Sequence, residues 1–510
     1  MKIFYQFLTV ALLGAMMTSC GGGSKTGGAD STSTGTDTTV HIRYNVNSPK
    51  GLLALAAMDK ALKVMRNTDC SNPTSWYYQG AIHWVPDTIP TANPFCPSYT
   101  HKSQIKPSWN NCTHFLKDGG AEINFLIWHR LYIYHFENIV RKLSGDKSFA
   151  LPYWAYTNTT DTVANRTLNL LLRTKGSSLY TASRYDSLNR GYPLSGAIIP
   201  ALDLTVLNQN TDLVTYSNQI NSAPHGAMHD YIGAGNDQTY MIYNEIYQKV
   251  YNGGLMANVP SAGFDPVFWL HHSNIDRIWQ QWTNSPNGQR ITLEDLKAHP
   301  FPYNFFDENG KPVSYTPEEI IKVIYNLNYK FDDTPMGTTP AEDAQKAKPS
   351  VMLSAAIQTD TIVKKNVSKT ITGKSLTFTV PNQHKQNIAL MTTKNTAGKH
   401  KSVIVKLTVT VAKEPRGIYQ VYINLPKGAV PNPKGNYFAG FMTFFGASHH
   451  AAMNMPGMES EPEMTFYFDL TDEFAKTAAL NQDNLSVSIL NPSGKGLGDF
   501  TVKSITVIVK

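Results

Sequence analysis

Beyond its N-terminus the sequence has no apolar run long enough to cross a bilayer, no block of basic residues and no internal repeat. A net charge of +7 spread over 510 residues gives nucleic acid no concentrated surface to bind. There are only four cysteines, and none stands with histidine at zinc-finger spacing, which argues against a structural zinc site.

At 41% hydrophobic content the chain can bury sizeable cores, in two domains plus a tail. Residues 1–19 look like a bacterial lipoprotein signal. Met1-Lys2 is followed by an apolar run from Phe4 to Met17, and Thr18-Ser19 precede Cys20, the candidate lipid acceptor. An ordinary secretory signal with an incidental cysteine is the other reading. Residues 20–40, nearly all Gly, Ser, Thr and Asp, read as a flexible tether. The expectation is an exported, membrane-anchored protein, on the periplasmic face or the cell surface.

The spacing predicts helices over Leu52–Met65, opened by Ser48-Pro49, over about Ala121–Leu143, and over about Pro266–Trp282. Between them, Asn67–Gly119 reads as loop and Thr157–Asn221 as a polar, irregular segment. Residues 332–365 read as a linker. Beyond it the period becomes that of strands, with Val403, Val405, Leu407, Val409 and Val411 alternating with Ile404, Lys406, Thr408 and Thr410. The fold expected is a mainly α domain over 41–331, a helical bundle, and a C-terminal all-β sandwich over 366–510.

Of fifteen histidines, six stand out. His225 and His229 are four apart, which places two imidazoles on one helix face. Asp265-Pro266-Val267-Phe268-Trp269-Leu270-His271-His272-Ser273-Asn274-Ile275-Asp276 is a capped helix start crowded with aromatics, so its histidines are buried and need partners. A third imidazole from this helix makes a three-histidine site suited to copper or zinc. His83, His114 and His129 offer a second triplet, although each singly reads as an ordinary core or loop histidine.

The stretch Asp265–Asp276, the His225–His229 pair and Trp128-His129-Arg130-Leu131-Tyr132 together resemble the tyrosinase and catechol oxidase family, with its type-3 dicopper centre. Phe305-Phe306-Asp307-Glu308-Asn309-Gly310, Leu327-Asn328-Tyr329-Lys330-Phe331 and Tyr437-Phe438-Ala439-Gly440 resemble later segments of plant polyphenol oxidases, whose C-terminal domain can shield the active site. The resemblance implies two copper ions, the first on His83, His114 and His129 and the second on His225, His229 and His272. His271 and Asp276 would support the ligands from behind. Cys112-Thr113-His114 matches the family's Cys-x-His element and implies a thioether between Cys112 and His114. With Cys20 lipidated and Cys112 so used, Cys70 and Cys96 remain as a disulfide pair, two buried thiols being the alternative.

The chain departs from the pattern in places. His114 to His129 is long, with Phe115–Asn124 looking like an insertion. Asn221 stands where plant enzymes often carry a water-holding Glu, Gly226 where monophenol hydroxylases often carry Asn, and Val259 at the gate position. These tilt the expectation toward oxidation of o-diphenols to o-quinones with O2. A tyrosinase-type monophenol monooxygenase and an o-aminophenol oxidase are the alternatives within the class. A haemocyanin-like oxygen carrier lies outside it, as does a copper-binding lipoprotein acting through His449, His450, Met453, Met455, Met458 and Met464. The expected partners are a small phenol or catechol, O2 and, through the lipid, a membrane.

Overall fold

Ser48 starts the first helix by accepting a hydrogen bond from the Gly51 amide, and Pro49 occupies a position where no amide proton is needed. This description rests on a computed structural model and covers residues 39–85, 96, 112, 121–235, 239–335, 360–371, 374–381, 402–411, 415–447, 463–471, 483–493 and 500–510. Cys20, His114, His449 and His450 lie outside the described residues, so the readings placed on them rest on sequence alone. The chain divides into Met1–Thr39 and Val40–Lys510, and everything below concerns the second unit. Among the described residues no helix is long and apolar enough to cross a membrane.

Helix α1 (Pro49–Asn67) buries Leu55, Met58, Leu62 and Met65 and packs against α3 (Ala121–Ser144). Between them α2 (Trp76–His83), capped by Ser75, interrupts the stretch expected to be loop. Every residue of α2 is buried, so it has no polar face and none of the two-sided periodicity by which sequence betrays a helix. Cys70 and Cys96 form a disulfide near its start. The polar segment after Thr157 likewise ends in structure. Helix α4 (Leu213–Ile220), capped by Asp212, runs through a π-helical turn (Asn221–Gly226) into α5 (Ala227–Ile232). Its polar side chains face protein rather than water, which masked the helix. Helix α6 (Pro266–Thr283) is capped by Asp265, whose side chain accepts from the Val267 amide and is held by Arg184.

Helices α3 and α6 are tied by buried charge. Strand β1 (His41–Arg43) pairs in parallel with β2 (Tyr329–Phe331) and delivers Arg43 into the core. Arg43 donates to Glu137 of α3 at 2.7 Å and to Asp276 of α6 at 2.9 Å, and its guanidinium lies 3.5 Å from the centre of the Tyr329 ring. Arg130 donates to the second Asp276 oxygen at 2.6 Å, and the Tyr329 hydroxyl also donates to Asp276. Burial alone would lower the Arg43 pKa, but the Glu137 carboxylate and its acidic neighbours outweigh it and hold the group above its usual value. Arg43 and Arg141 in turn hold Glu137 below the usual carboxylate range against its own burial.

The C-terminal domain is a sandwich of two antiparallel four-stranded sheets. Its strands are β3 (Asp360–Thr370), β4 (Ser375–Pro381), β5 (Val403–Val411), β6 (Tyr419–Ile423), β7 (Phe438–Met442), β8 (Glu463–Asp469), β9 (Asn484–Leu490) and β10 (Phe500–Val509). One sheet runs β7-β6-β9-β4 and the other β8-β5-β10-β3. The alternating valines of β5 are buried as their period predicts. Strand β3 begins at Asp360, inside the segment read as linker. It is an edge strand carrying Lys364, Lys365 and Lys369, the charge that keeps an edge from pairing with other chains and that disguised it as linker. At the other end of that segment, Asp333 pairs with Arg277 of α6, so the helical domain extends past Phe331.

The sandwich docks on α4. Asn218 donates to the Thr465 carbonyl and accepts from the Tyr467 amide, and Gln219 donates to the Tyr467 carbonyl. Thr211 donates twice to Asp469, and Lys510 pairs with Asp212 at 2.8 Å.

Replacing Asp276 with alanine leaves two arginines buried without their carboxylate, and should cost about 3–5 kcal/mol in urea unfolding of the full chain. A loss below about 1 kcal/mol would show that the network carries little of the fold. A second prediction concerns His135, which burial pushes down to about 4 from an ordinary value of 6.5. The unfolded chain takes up this proton first, so its contribution to stability is lost as pH falls from 6.5 towards 4, by about 3 kcal/mol in all. His135→Gln should melt with a visibly shallower pH dependence over that window; an unchanged slope would contradict the assignment.

Candidate metal centre

Three of the candidate ligands are aimed by a local backbone device. His129 Nδ1 donates to the Phe125 carbonyl at 2.7 Å, one turn back on α3. His225 Nδ1 donates to the Asn221 carbonyl at 3.1 Å across the π-helical turn, and His229 Nδ1 to the Met256 carbonyl at 2.9 Å. A carbonyl can only accept, so the proton sits on Nδ1 in all three rings and the Nε2 lone pair is left for a metal.

These rings converge. His225, His229, His271 and His272 bring ligand atoms within 4.8 Å of one another, and His83, Cys112 and His129 form a second such group. The two groups adjoin, since the His129 and His272 rings stack at 4.2 Å between centroids and only 4° from parallel. Burial, reinforced by the neighbouring imidazoles, pushes His271 and His272 well below the ordinary imidazole range, so both are neutral at physiological pH. Neither ring nitrogen of His272 has a hydrogen-bond partner, and His271 Nε2 has none. Buried imidazole nitrogens left this way fit a bound metal.

The residues expected at the site divide as follows. His83, His129, His225, His229 and His272 come together, with His271 among them rather than behind them. Cys112 Sγ lies 3.9 Å from His129 Nε2, while its expected thioether partner His114 lies outside the described residues. Asp276 stands one turn beyond His272 in the arginine network. Asn221 serves His225 through its backbone carbonyl, which any residue there would supply. Val259 is fully buried in a cluster with Trp84 and Phe445.

Several site residues escaped sequence reasoning. Phe268 lies 4.2 Å from His272 and 4.8 Å from His83, and Phe125 lies within 4.8 Å of both His129 and His225. Both could have been found, each standing one helical turn before a ligand on its own helix. Phe445 could not. It comes from the β domain, and its ring stacks on His229 at 4.3 Å. Beside it the Thr443 hydroxyl donates to the Ser222 carbonyl. This approach explains Gly226: a Cβ there would stand 2.6 Å from Thr443 Oγ1 and 3.3 Å from the Phe445 Cβ.

A family model described as the common central domain of tyrosinase matches residues 73–185 and 201–285, the segments that hold these clusters. The chain carries a tyrosinase domain. Its two histidine groups suit the dicopper centre of the tyrosinase and catechol oxidase family. Residues 356–508, the sandwich, match a family described only as a domain of unknown function, DUF7868. A tyrosinase of Hahella sp. (strain CCB-MM4) is 25% identical over 465 residues, covering 86% of this chain and 93% of the relative. The chloroplastic polyphenol oxidase II of Ipomoea batatas is 26% identical over 310 residues, 55% of this chain and 47% of that one. Among solved structures, latent apple tyrosinase superimposes with a TM-score of 0.61 at 18% identity, covering 92% of this chain and 98% of the other. A latent aurone synthase, a polyphenol oxidase, matches equally at 0.61 and 18% identity, over 93% and 90%. At such identity the likeness establishes the fold: a helical tyrosinase core with a C-terminal antiparallel domain.

Gly226→Ala should destabilise the tyrosinase domain by about 1–3 kcal/mol through overpacking against Thr443. Thr443→Ala should recover part of that loss in a double-mutant cycle. Strict additivity of the two changes would break the link between Gly226 and the β domain.

Proposed function

We propose that this chain oxidises o-diphenols to o-quinones, two catechols giving four electrons and four protons to one O2, which leaves as two waters. The observation that carries the proposal is the meeting of two imidazole groups at the His129–His272 stack, with the Phe445 ring stacked on His229 beside it. Bound copper supplies the electron transfer between phenol and oxygen. The chain's own residues do the rest. His83, His129 and, on the sequence reading, His114 would hold the first metal and His225, His229 and His272 the second, and the backbone carbonyls of Phe125, Asn221 and Met256 keep the His129, His225 and His229 rings oriented. Phe125 and Phe268 wall the clusters against water.

Phe445 stacks on His229, where an aromatic substrate ring would lie, and clusters with Trp84 and Val259. The β domain therefore acts as a shield, and catechol enters when it moves away. Diphenol oxidation is favoured over monophenol hydroxylation because Asn221 brings no carboxylate to take a phenolic proton. Gly226 is occupied by packing against Thr443 rather than by contact with substrate.

The test is oxygen consumption and o-quinone absorbance of the copper-loaded full chain on a catechol and on its monophenol. Quinone should form from the catechol without a lag, with the monophenol at least about tenfold slower. Phe445→Ala should raise kcat/KM on the catechol by about tenfold, the gain expected when a mostly closed site is opened. Equal rates on the two substrates would overturn the diphenol preference, and an unchanged kcat/KM in Phe445→Ala would overturn the shield.

A further inference from the structure

Helix α1 is apolar on both sides. Its inner side buries Leu55, Met58, Leu62 and Met65, yet the side turned to solvent carries Pro49, Leu52, Leu53 and Ala56 over its first two turns, with Leu53 70% exposed. A surface helix ordinarily turns polar groups to water there. Two more apolar side chains gather at the same end. Val163, on the short helix Thr162–Arg166, is 68% exposed, and Leu170, on Leu170–Arg173, is 62% exposed. Both segments are pinned beside the start of α1 by Asn47, whose side-chain amide donates to the Ala164 carbonyl at 2.8 Å and accepts from Asn169 at 3.1 Å. One exposed leucine is ordinary, but several apolar side chains gathered at one end mark a contact surface. Lys50, Lys60 and Lys63 are exposed on the same side of the helix. The acid on this helix, Asp59, is occupied by the Ser177 hydroxyl and the Ser178 amide, and Asp161 is exposed next to Val163.

We propose that this face, centred on Leu53, rests on a lipid bilayer. Leu52, Leu53, Val163 and Leu170 enter the boundary between headgroups and acyl chains, and the lysines reach anionic headgroups while their stems lie along the apolar surface. Charge is one argument for that occupant, since lysines rimming apolar side chains complement an anionic lipid surface. Chain continuity is the other. The chain enters the described unit at Val40, just before β1, and β1 leads on to α1. Before Val40 the sequence carries the signal, Cys20 and the tether of residues 20–40. A flexible chain of that length has a root-mean-square span of about 25 Å. A domain held so close to a bilayer meets it at high effective concentration, so a weak face is enough to settle which side lies down.

The inference is independent of the oxidation chemistry, so its test reads contact with lipid. The full chain carries an environment-sensitive dye on Leu53→Cys, on Leu170→Cys or, as control, on Val430→Cys, a position 86% exposed on the β domain. Cys70 and Cys96 are paired and Cys112 is buried, so with Cys20→Ser in every sample the new thiol is the one the dye reaches. Vesicles of phosphatidylcholine and phosphatidylglycerol are added at millimolar lipid, the effective concentration a short tether provides. The dyes at 53 and 170 should shift to the blue and be quenched by nitroxide-bearing lipids, while the dye at 430 stays open to iodide. Lys50→Gln with Lys63→Gln should weaken the binding about tenfold. Leu53→Glu, at a position too exposed to unfold the chain, should keep the wild-type melting temperature and return the dye at 170 to water. Dyes at 53 and 170 as open to iodide as the one at 430 would overturn the proposal. So would equal shielding at all three positions, or a dye at 170 that stays in lipid when Leu53 is replaced. Equal affinity for vesicles of phosphatidylcholine alone would overturn the part given to the lysines.

Discussion

The Asp276 carboxylate is the point on which the molecule depends. It accepts from Arg43, Arg130 and Tyr329, which come from the N-terminal strand, from α3 and from the end of the helical domain. Asp276 stands one turn past His272, Arg130 is adjacent to His129, and Glu137 takes the other side of Arg43. A buried ion network of this kind is poor at adding stability, because desolvation offsets most of its attraction. What it contributes is registry. Two helices that could slide over an apolar seam are held at the one offset that stacks the His129 and His272 rings.

Around that registry the imidazoles are oriented by main chain rather than by other side chains. Carbonyls of Phe125, Asn221 and Met256 select the tautomer of three rings, and they do so because a helix turn, a π-helical turn and a loop place an acceptor one hydrogen bond away. The π-helical turn matters most here. It carries His225 out of line with α4 and leaves Gly226 bare, so that Thr443 and Phe445 can approach to van der Waals distance. The surface that holds the ligands is thus the same surface on which the β domain rests, and packing on one side is felt by ligands on the other.

Much of both domains could be read from residues alone. Asp265-Pro266 starts a helix by cap chemistry, Ser48-Pro49 does the same, and the valines of β5 alternate as a half-buried strand must. What failed to show followed a common rule. Helix α2 is buried on every side, α4 turns polar groups toward another domain, and β3 wears lysines because it is an edge. In each case the partner of the face is protein where the pattern assumes water, or water where it assumes protein.

The sequence by itself determined which histidines have neighbours at helical spacing, where the cap residues stand and where the period changes from helix to strand. These depend on residues within a few positions of one another, so local chemistry suffices. Only the tertiary structure decided that His271 lies in one cluster with His225, His229 and His272, that Phe445 lies on His229 and that Gly226 is small to admit Thr443. Those contacts link residues far apart in the chain. Distance along the chain carries no record of the angle at which two helices cross or of where a sandwich comes to rest on them.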